Sequence, residues 1–156
     1  MVIDYQQLFH SGVLVADLDC AMHELAPPLG VTWAAPREVD QAVWSPEEGA
    51  ATVPLRFTYS VAGPQHIELV EGPPGSVWAA GDAPGVHHVG VWVDDVQTET
   101  QQLVEVGWHL VAAHRSPDAG FGMFTYVAPP SGLIVELVAS AIRPQFEAWW
   151  SAPVPT

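Results

Sequence analysis

The sequence contains no lysine. Its basic side chains are Arg37, Arg56, Arg115 and Arg143, four against 18 acids, and the formal net charge is −14. That balance excludes a nucleic-acid partner, because phosphate binding draws on several Lys or Arg to release counterions. It also excludes an anionic membrane surface, to which each nearby basic residue contributes about 1 kcal/mol. Cysteine is nearly missing as well. Cys20 stands alone, so no internal disulfide can form and the chain suits a reducing cytoplasm. Cys20 itself reads as a small buried hydrophobe. No apolar run approaches the roughly 20 residues that cross a bilayer. The opening residues, Met1-Val2-Ile3-Asp4, carry no basic stretch, so no signal peptide is expected.

What is present is apolar bulk and repetition. Apolar residues make up 49% of the 156, enough for the core of one domain of ordinary size. Residues 10–18 read His-Ser-Gly-Val-Leu-Val-Ala-Asp-Leu, and residues 88–96 read His-Val-Gly-Val-Trp-Val-Asp-Asp-Val. Both fit His-x-Gly-Val-x-Val-x-Asp-[Leu/Val]. The ends of the halves repeat too, as Ile-Glu-Leu-Val at 67–70 and Val-Glu-Leu-Val at 135–138. Two matches in the same order argue for two copies of one structural unit.

Alternation and turn signals give each copy the order β-α-β-β-β. The first has strands over 10–16, 39–44, 52–61 and 65–71, with a helix over 18–26 that Asp17 caps and Pro27-Pro28 ends. The second has strands over 87–93, 109–114, 121–127 and 132–139. Its helix over 95–106 is capped by Asp94 or Asp95 and followed by Gly107. The expected fold class is α+β, one domain made of module 8–72, linker 73–85, module 86–142 and a tail, 143–156, that frays or packs across the surface. The two modules would form a cupped mixed sheet around a central site.

In a strand, residues i and i+2 share a face. Each half opens with a His in such a strand and closes with a Glu between apolar neighbours. Taken singly, a strand His is more often at the surface or hydrogen-bonded, and a strand Glu more often faces solvent. As a symmetric set, His10, Glu68, His88 and Glu136 converge if the repeats pack about a pseudo-twofold axis. A divalent metal would then offset the cost of burying two carboxylates. Four protein ligands leave two octahedral positions for water or substrate oxygens. The repeat register prefers His88 over His87 and Glu68 over His66, with His66 and His87 facing outward. His23, His109 and His114 have no repeat partner and serve packing or the surface.

These motifs resemble the vicinal oxygen chelate superfamily, which includes glyoxalase I, methylmalonyl-CoA epimerase, extradiol dioxygenases and bleomycin-resistance proteins. The resemblance runs from about Phe9 to Val138. It implies paired β-α-β-β-β modules cupped around a metal whose ligands, carried over by position, are His10, Glu68, His88 and Glu136. The His/Glu/His/Glu set is similar to that of bacterial glyoxalase I, while Val77-Trp78 and His87-His88 are most similar to the epimerase branch. It further implies a divalent ion (Ni, Co, Zn, Mn or Fe), proton abstraction beside a carbonyl with Glu136 or Glu68 as the base, and a homodimer. Glu38, Asp40 and Glu48 fall where the epimerases carry further acids.

Composition narrows the substrate. Recognising phosphates or several carboxylates draws on Lys and Arg, which speaks against CoA and glutathione compounds. Arg56 or Arg115 would clamp one carboxylate at most. Trp33, Trp44, Trp78, Trp92 and Trp108 suit an apolar or aromatic ligand, with Trp92 as a substrate contact, although Trp also fills cores. The resulting expectation is a cytoplasmic metal-dependent isomerase, epimerase or lyase for a small, neutral, hydrophobic carbonyl compound. Two alternatives are a bleomycin-resistance-type protein sequestering a cationic or aromatic molecule, and an extradiol-type Fe(II) dioxygenase.

Overall fold

The computed structural model describes residues 3–81 and 84–153. Its first half contains β1 (Leu8–Leu14), α1 (Leu18–Leu29), β2 (Arg37–Ser45), β3 (Gly49–Tyr59) and β4 (His66–Glu71). The second contains β5 (Gly85–Val93), α2 (Val96–Glu105), β6 (His109–Ala113), β7 (Phe124–Ala128) and β8 (Ile134–Ala139). A third helix, α3 (Arg143–Trp150), follows. Asp17 starts α1 by accepting from the Cys20 N–H at 2.8 Å, and Asp95 starts α2 by accepting from Thr98 N–H at 3.0 Å.

The eight strands close into a barrel-like cup in the order β1-β4-β3-β2-β6-β7-β8-β5. Within each half the first and last strands run parallel, β1 with β4 and β5 with β8. Two seams join the halves of the one chain. The long seam is the antiparallel pairing of β1 with β5, and the short one is the bridge Trp44–Ala113 between β2 and β6. α1 and α2 cover the outside. Val96, Thr100 and Leu103, spaced by one helical turn, bury one face of α2. Inside that contact the Thr100 and Thr125 hydroxyls meet at 2.8 Å. Leu18 anchors α1 in a cluster with Val15, Trp33 and Leu69.

Several local expectations are corrected. α1 does not stop at Pro27-Pro28 but runs through them to Leu29. The prolines sit on its exposed last turn, where the carbonyls they leave unpaired reach water. Gly30, left-handed at φ 64°, ends the helix instead. β7 begins at Phe124 rather than 121, because Phe121 (φ 64°) and Gly122 (φ 77°) turn the chain first. Cys20 is exposed, not buried. It lies on the outer side of the first turn of α1, and the adjacent Asp17 carboxylate raises its thiol pKa, which disfavours a nucleophile. Within the tail, Arg143–Trp150 forms α3, which packs into an aromatic cluster with Phe9, Tyr59 and Trp92; residues 82–83 of the expected linker and 154–156 of the tail lie outside the described residues. Trp78, between the two halves, is buried in a second cluster with Leu55, Val70 and Tyr126. No helix among the described residues is long and apolar enough to cross a membrane.

Candidate metal centre

The long seam builds the site. His10 on β1 lies opposite Gly90 on β5, and His88 lies opposite Gly12. On their parallel sides, Gly12 neighbours Glu68 and Gly90 neighbours Glu136. A Cβ on Gly12 would overlap the His88 ring, and one on Gly90 would overlap the His10 ring. Each imidazole therefore lies across the glycine of the other half. That is the physical content of the repeated His-x-Gly pattern: a neighbouring strand must carry no side chain where the ring crosses it.

The four side chains offer ligand atoms that all lie within 4.8 Å of one another. The two histidine Nε2 atoms are 3.0 Å apart. His10 Nε2 is 3.1 Å from Glu136 Oε2 and 3.4 Å from Glu68 Oε2, while His88 Nε2 is 3.1 Å from Glu68 Oε2 and 3.3 Å from Glu136 Oε2. Both His residues are fully buried, and both Glu residues are nearly so. Burial opposes the charged forms, but the contacts outweigh it. Close contacts with the Glu136 and Glu68 carboxylates raise His10, and they raise His88 to about 9. The two imidazoles in turn hold both carboxylates below their usual range.

The set fits a divalent cation. Two ring nitrogens and two carboxylate oxygens converge, and Glu68 Oε2 is buried without a hydrogen-bond donor. A cation about 2.1 Å from each donor requires neighbouring donors about 3 Å apart, as they are here. The N₂O₂ donor chemistry suits Ni, Co, Zn, Mn or Fe.

Glu68 and Glu136 also face a cavity of about 310 Å³. Its walls include Leu55, Phe57, Tyr59, Val70, Trp78 and Tyr126, and neither Lys nor Arg lines it. His10 and His88 lie behind the carboxylates. Tyr59 stands in register with Glu68 and Tyr126 with Glu136, so the two halves contribute matching Tyr-Glu pairs. Burial, with Glu68 beside Tyr59 and Glu136 beside Tyr126, pushes both phenols well above 10, so they stay protonated.

The remaining sequence candidates fall elsewhere. Trp92 is buried behind the site, stacked on Phe9 at 3.8 Å, and is not part of the cavity wall. Arg56 is engaged by Asp19, Glu38 and Glu71 at 3.0–3.3 Å, away from the cavity. Arg115 is exposed beside His114. Glu38 serves Arg56, and neither Asp40 nor Glu48 lines the cavity.

Two histidines depart from the expected outward orientation. His66 is buried on the same strand face as Glu68. Its Nδ1–H donates to the Ser60 carbonyl at 2.6 Å, and its ring stacks on Trp150 at 3.7 Å. His87 is half-buried, with Nδ1 3.0 Å from His88 Nδ1, because β5 bulges there: Gly12 pairs with His88 but Val13 with Val86. His114, expected at the surface or in packing, lines the cavity, and its Nδ1 accepts from the Met123 N–H. Tyr59, Tyr126 and Gln41, also in the wall, were not singled out by the sequence. The signal for the tyrosines was available, since each is the inward residue of a strand that hairpins onto a Glu strand.

Residues 9–126 match the sequence profile of the glyoxalase/bleomycin resistance protein/dioxygenase superfamily. The chain belongs to this superfamily. No curated protein matches it. Among solved structures, a Streptomyces coelicolor methylmalonyl-CoA epimerase in complex with 2-nitronate-propionyl-CoA is similar, with a TM-score of 0.60 and 22% identity over 86% of this chain and 94% of that one. A methylmalonyl-CoA epimerase from Mycobacterium tuberculosis gives a TM-score of 0.59 and 21% identity over 85% and 87%. A hypothetical protein from Bacillus halodurans gives 0.59 and 18% over 85% and 92%. At these identities the likeness is one of fold alone.

Proposed function

We propose that this superfamily member is a metal-dependent isomerase, epimerase or lyase that removes a proton beside the carbonyl of a small, neutral, hydrophobic compound. One observation carries the reading: the buried His10/Glu68/His88/Glu136 set opens, through its two carboxylates, onto a cavity with apolar walls and no Lys or Arg. His10 and His88, with the two carboxylates, would hold the ion. A divalent cation there supplies the charge that acidifies the carbon and steadies the developing oxyanion. Glu68 and Glu136 face the cavity from opposite halves of the barrel. Either carboxylate takes the proton from carbon. Delivery of a proton to the same carbon by the other carboxylate, from the opposite face, inverts it, and return of the abstracted proton to an adjacent atom isomerises it. The absence of Lys and Arg from the lining speaks against CoA thioesters, whose phosphates need cationic partners. A cytoplasmic location and a homodimer complete the proposal; all four donors come from one chain, so gel filtration tests the dimer separately.

The test is metal content and proton exchange. Protein purified without added metal should carry, or take up, one divalent ion per chain. It should also exchange solvent deuterium into members of a panel of aromatic 2-hydroxyketones. Glu136→Gln should lose that exchange and bind metal at least about tenfold more weakly, whereas His23→Ala, on the exposed side of α1, should change neither. Folded protein that takes up no metal would sink the enzyme reading in favour of sequestration. Iron binding with oxygen-dependent catechol cleavage would replace it with the dioxygenase reading.

A further inference from the structure

The cavity wall holds a pair of residues that the chemistry above does not use. The Trp78 indole Nε1–H donates to the Tyr126 hydroxyl oxygen at 2.9 Å. Trp78 is 2% exposed and Tyr126 3%, and they come from the segment between the halves and from β7. An indole N–H can only donate. It occupies a lone pair of the Tyr126 oxygen, so the phenol proton must point away from the indole. Both side chains line the cavity alongside Glu68 and Glu136. The Tyr126 ring lies 5.0 Å from the His88 ring, on the Glu136 side of the site.

The pair also breaks the symmetry of the site. Tyr59 occupies the matching place opposite Glu68. Among the described residues, no indole donates to it. A donor hydrogen-bonded to a phenol oxygen polarises the O–H and strengthens it as a donor in its turn. One side of an otherwise twofold site thus carries an aimed and strengthened hydroxyl.

We propose that Tyr126 is a catalytic residue whose hydroxyl donates a hydrogen bond to the substrate oxygen that gains negative charge as the neighbouring carbon loses its proton. Trp78 is the positioning residue that aims that hydroxyl. The inference rests on the carbonyl-compound reading of the cavity. It adds a protein donor to the oxyanion's surroundings, on the side away from Tyr59 and Glu68.

The probe is benzohydroxamate, a flat aromatic anion with two adjacent oxygens, titrated into cobalt(II)-loaded protein and followed by cobalt absorption and by calorimetry. Tyr126→Phe should keep cobalt affinity within about twofold and weaken the probe about tenfold or more, the usual worth of a hydrogen bond to a charged group. Trp78→Phe should also keep cobalt affinity and weaken the probe by about threefold. That threefold loss should vanish in the Tyr126→Phe background, because Trp78 acts through the hydroxyl. An equal loss in both backgrounds would reduce Trp78 to packing and overturn its positioning role. If the parent and Tyr126→Phe proteins bind the probe equally, the Tyr126 assignment fails while the metal reading stands. Cobalt uptake with no probe binding to the parent overturns the cavity as the ligand site. Failure of the parent to take up cobalt overturns the metal reading itself. Should Tyr126→Phe not fold, 3-fluorotyrosine at position 126 keeps the hydrogen bond and makes the phenol a stronger donor. Probe binding should then tighten, and unchanged binding would overturn the assignment.

Discussion

Gly12 and Gly90 control how closely the two imidazoles approach, since each ring lies where the other strand's side chain would be. Gly90→Ala should push the His10 ring off the site. We expect a folded protein, by circular dichroism, that binds divalent metal at least about tenfold more weakly; unchanged affinity would break this account of the His-x-Gly pattern. The residue scale also explains the two misplaced histidines. His66 and Glu68 are two apart on β4, so strand parity alone puts them on one face. His87 is different. Its turn toward His88 depends on a bulge in the pairing of β5 with β1, and nothing in the sequence of β5 alone marks where the ladder slips. His114 lines the cavity, where the turn before β7 brings the Met123 N–H onto its Nδ1.

At the scale of elements, α3 shows how little of a short helix resides in its own sequence. It has eight residues, a proline in its first turn and no side-chain cap. An isolated helix of this length is marginal in water. Tertiary anchors hold it. The Trp149 Nε1–H donates to the Ala35 carbonyl at 3.0 Å, the Arg37 guanidinium sits 3.8 Å over the Trp149 ring, and Trp150 stacks on His66. Ile142 and Phe146 complete the cavity wall. Trp149→Ala should therefore destabilise the fold by about 3 kcal/mol, measured by urea unfolding; a loss below about 1 kcal/mol would mean that α3 is not anchored through Trp149. The same logic explains α1. Its prolines predict an early stop, but the last turn is exposed and Gly30 supplies a better one.

Across the whole molecule, acids outnumber bases, and the arginines are largely committed. Arg56 answers three carboxylates, Arg37 lies over Trp149, and Arg143 pairs with Glu147. The buried quartet is then the main internal source of pH dependence. In chelator-treated protein the raised histidines contribute stability that is fully present below their unfolded value of 6.5 and lost as pH rises through about 9. The lowered glutamates contribute stability present above 4.5 and lost as pH falls below it. Burial lowers His66, His114 and, to about 4, His87, and their contribution is lost as pH falls below 6.5, so stability to urea should peak near pH 6.5 and decline both toward pH 4 and toward pH 9. Metal competes with the same protons, so its affinity should rise over the range in which the metal-free protein weakens. A flat profile from pH 6 to 9 would contradict the coupled quartet. Strand periodicity and a duplicated unit place equivalent residues at equivalent points, so the repeat, the α+β class and the meeting of His10, Glu68, His88 and Glu136 are legible in the chain alone. That both halves of one chain close the barrel, that Tyr126, Trp78 and His114 line the cavity, and that Trp92 and Arg56 do not, emerges from the folded molecule. Those outcomes depend on strand register, a bulge and contacts between distant segments, and such long-range pairings leave no local mark in the chain.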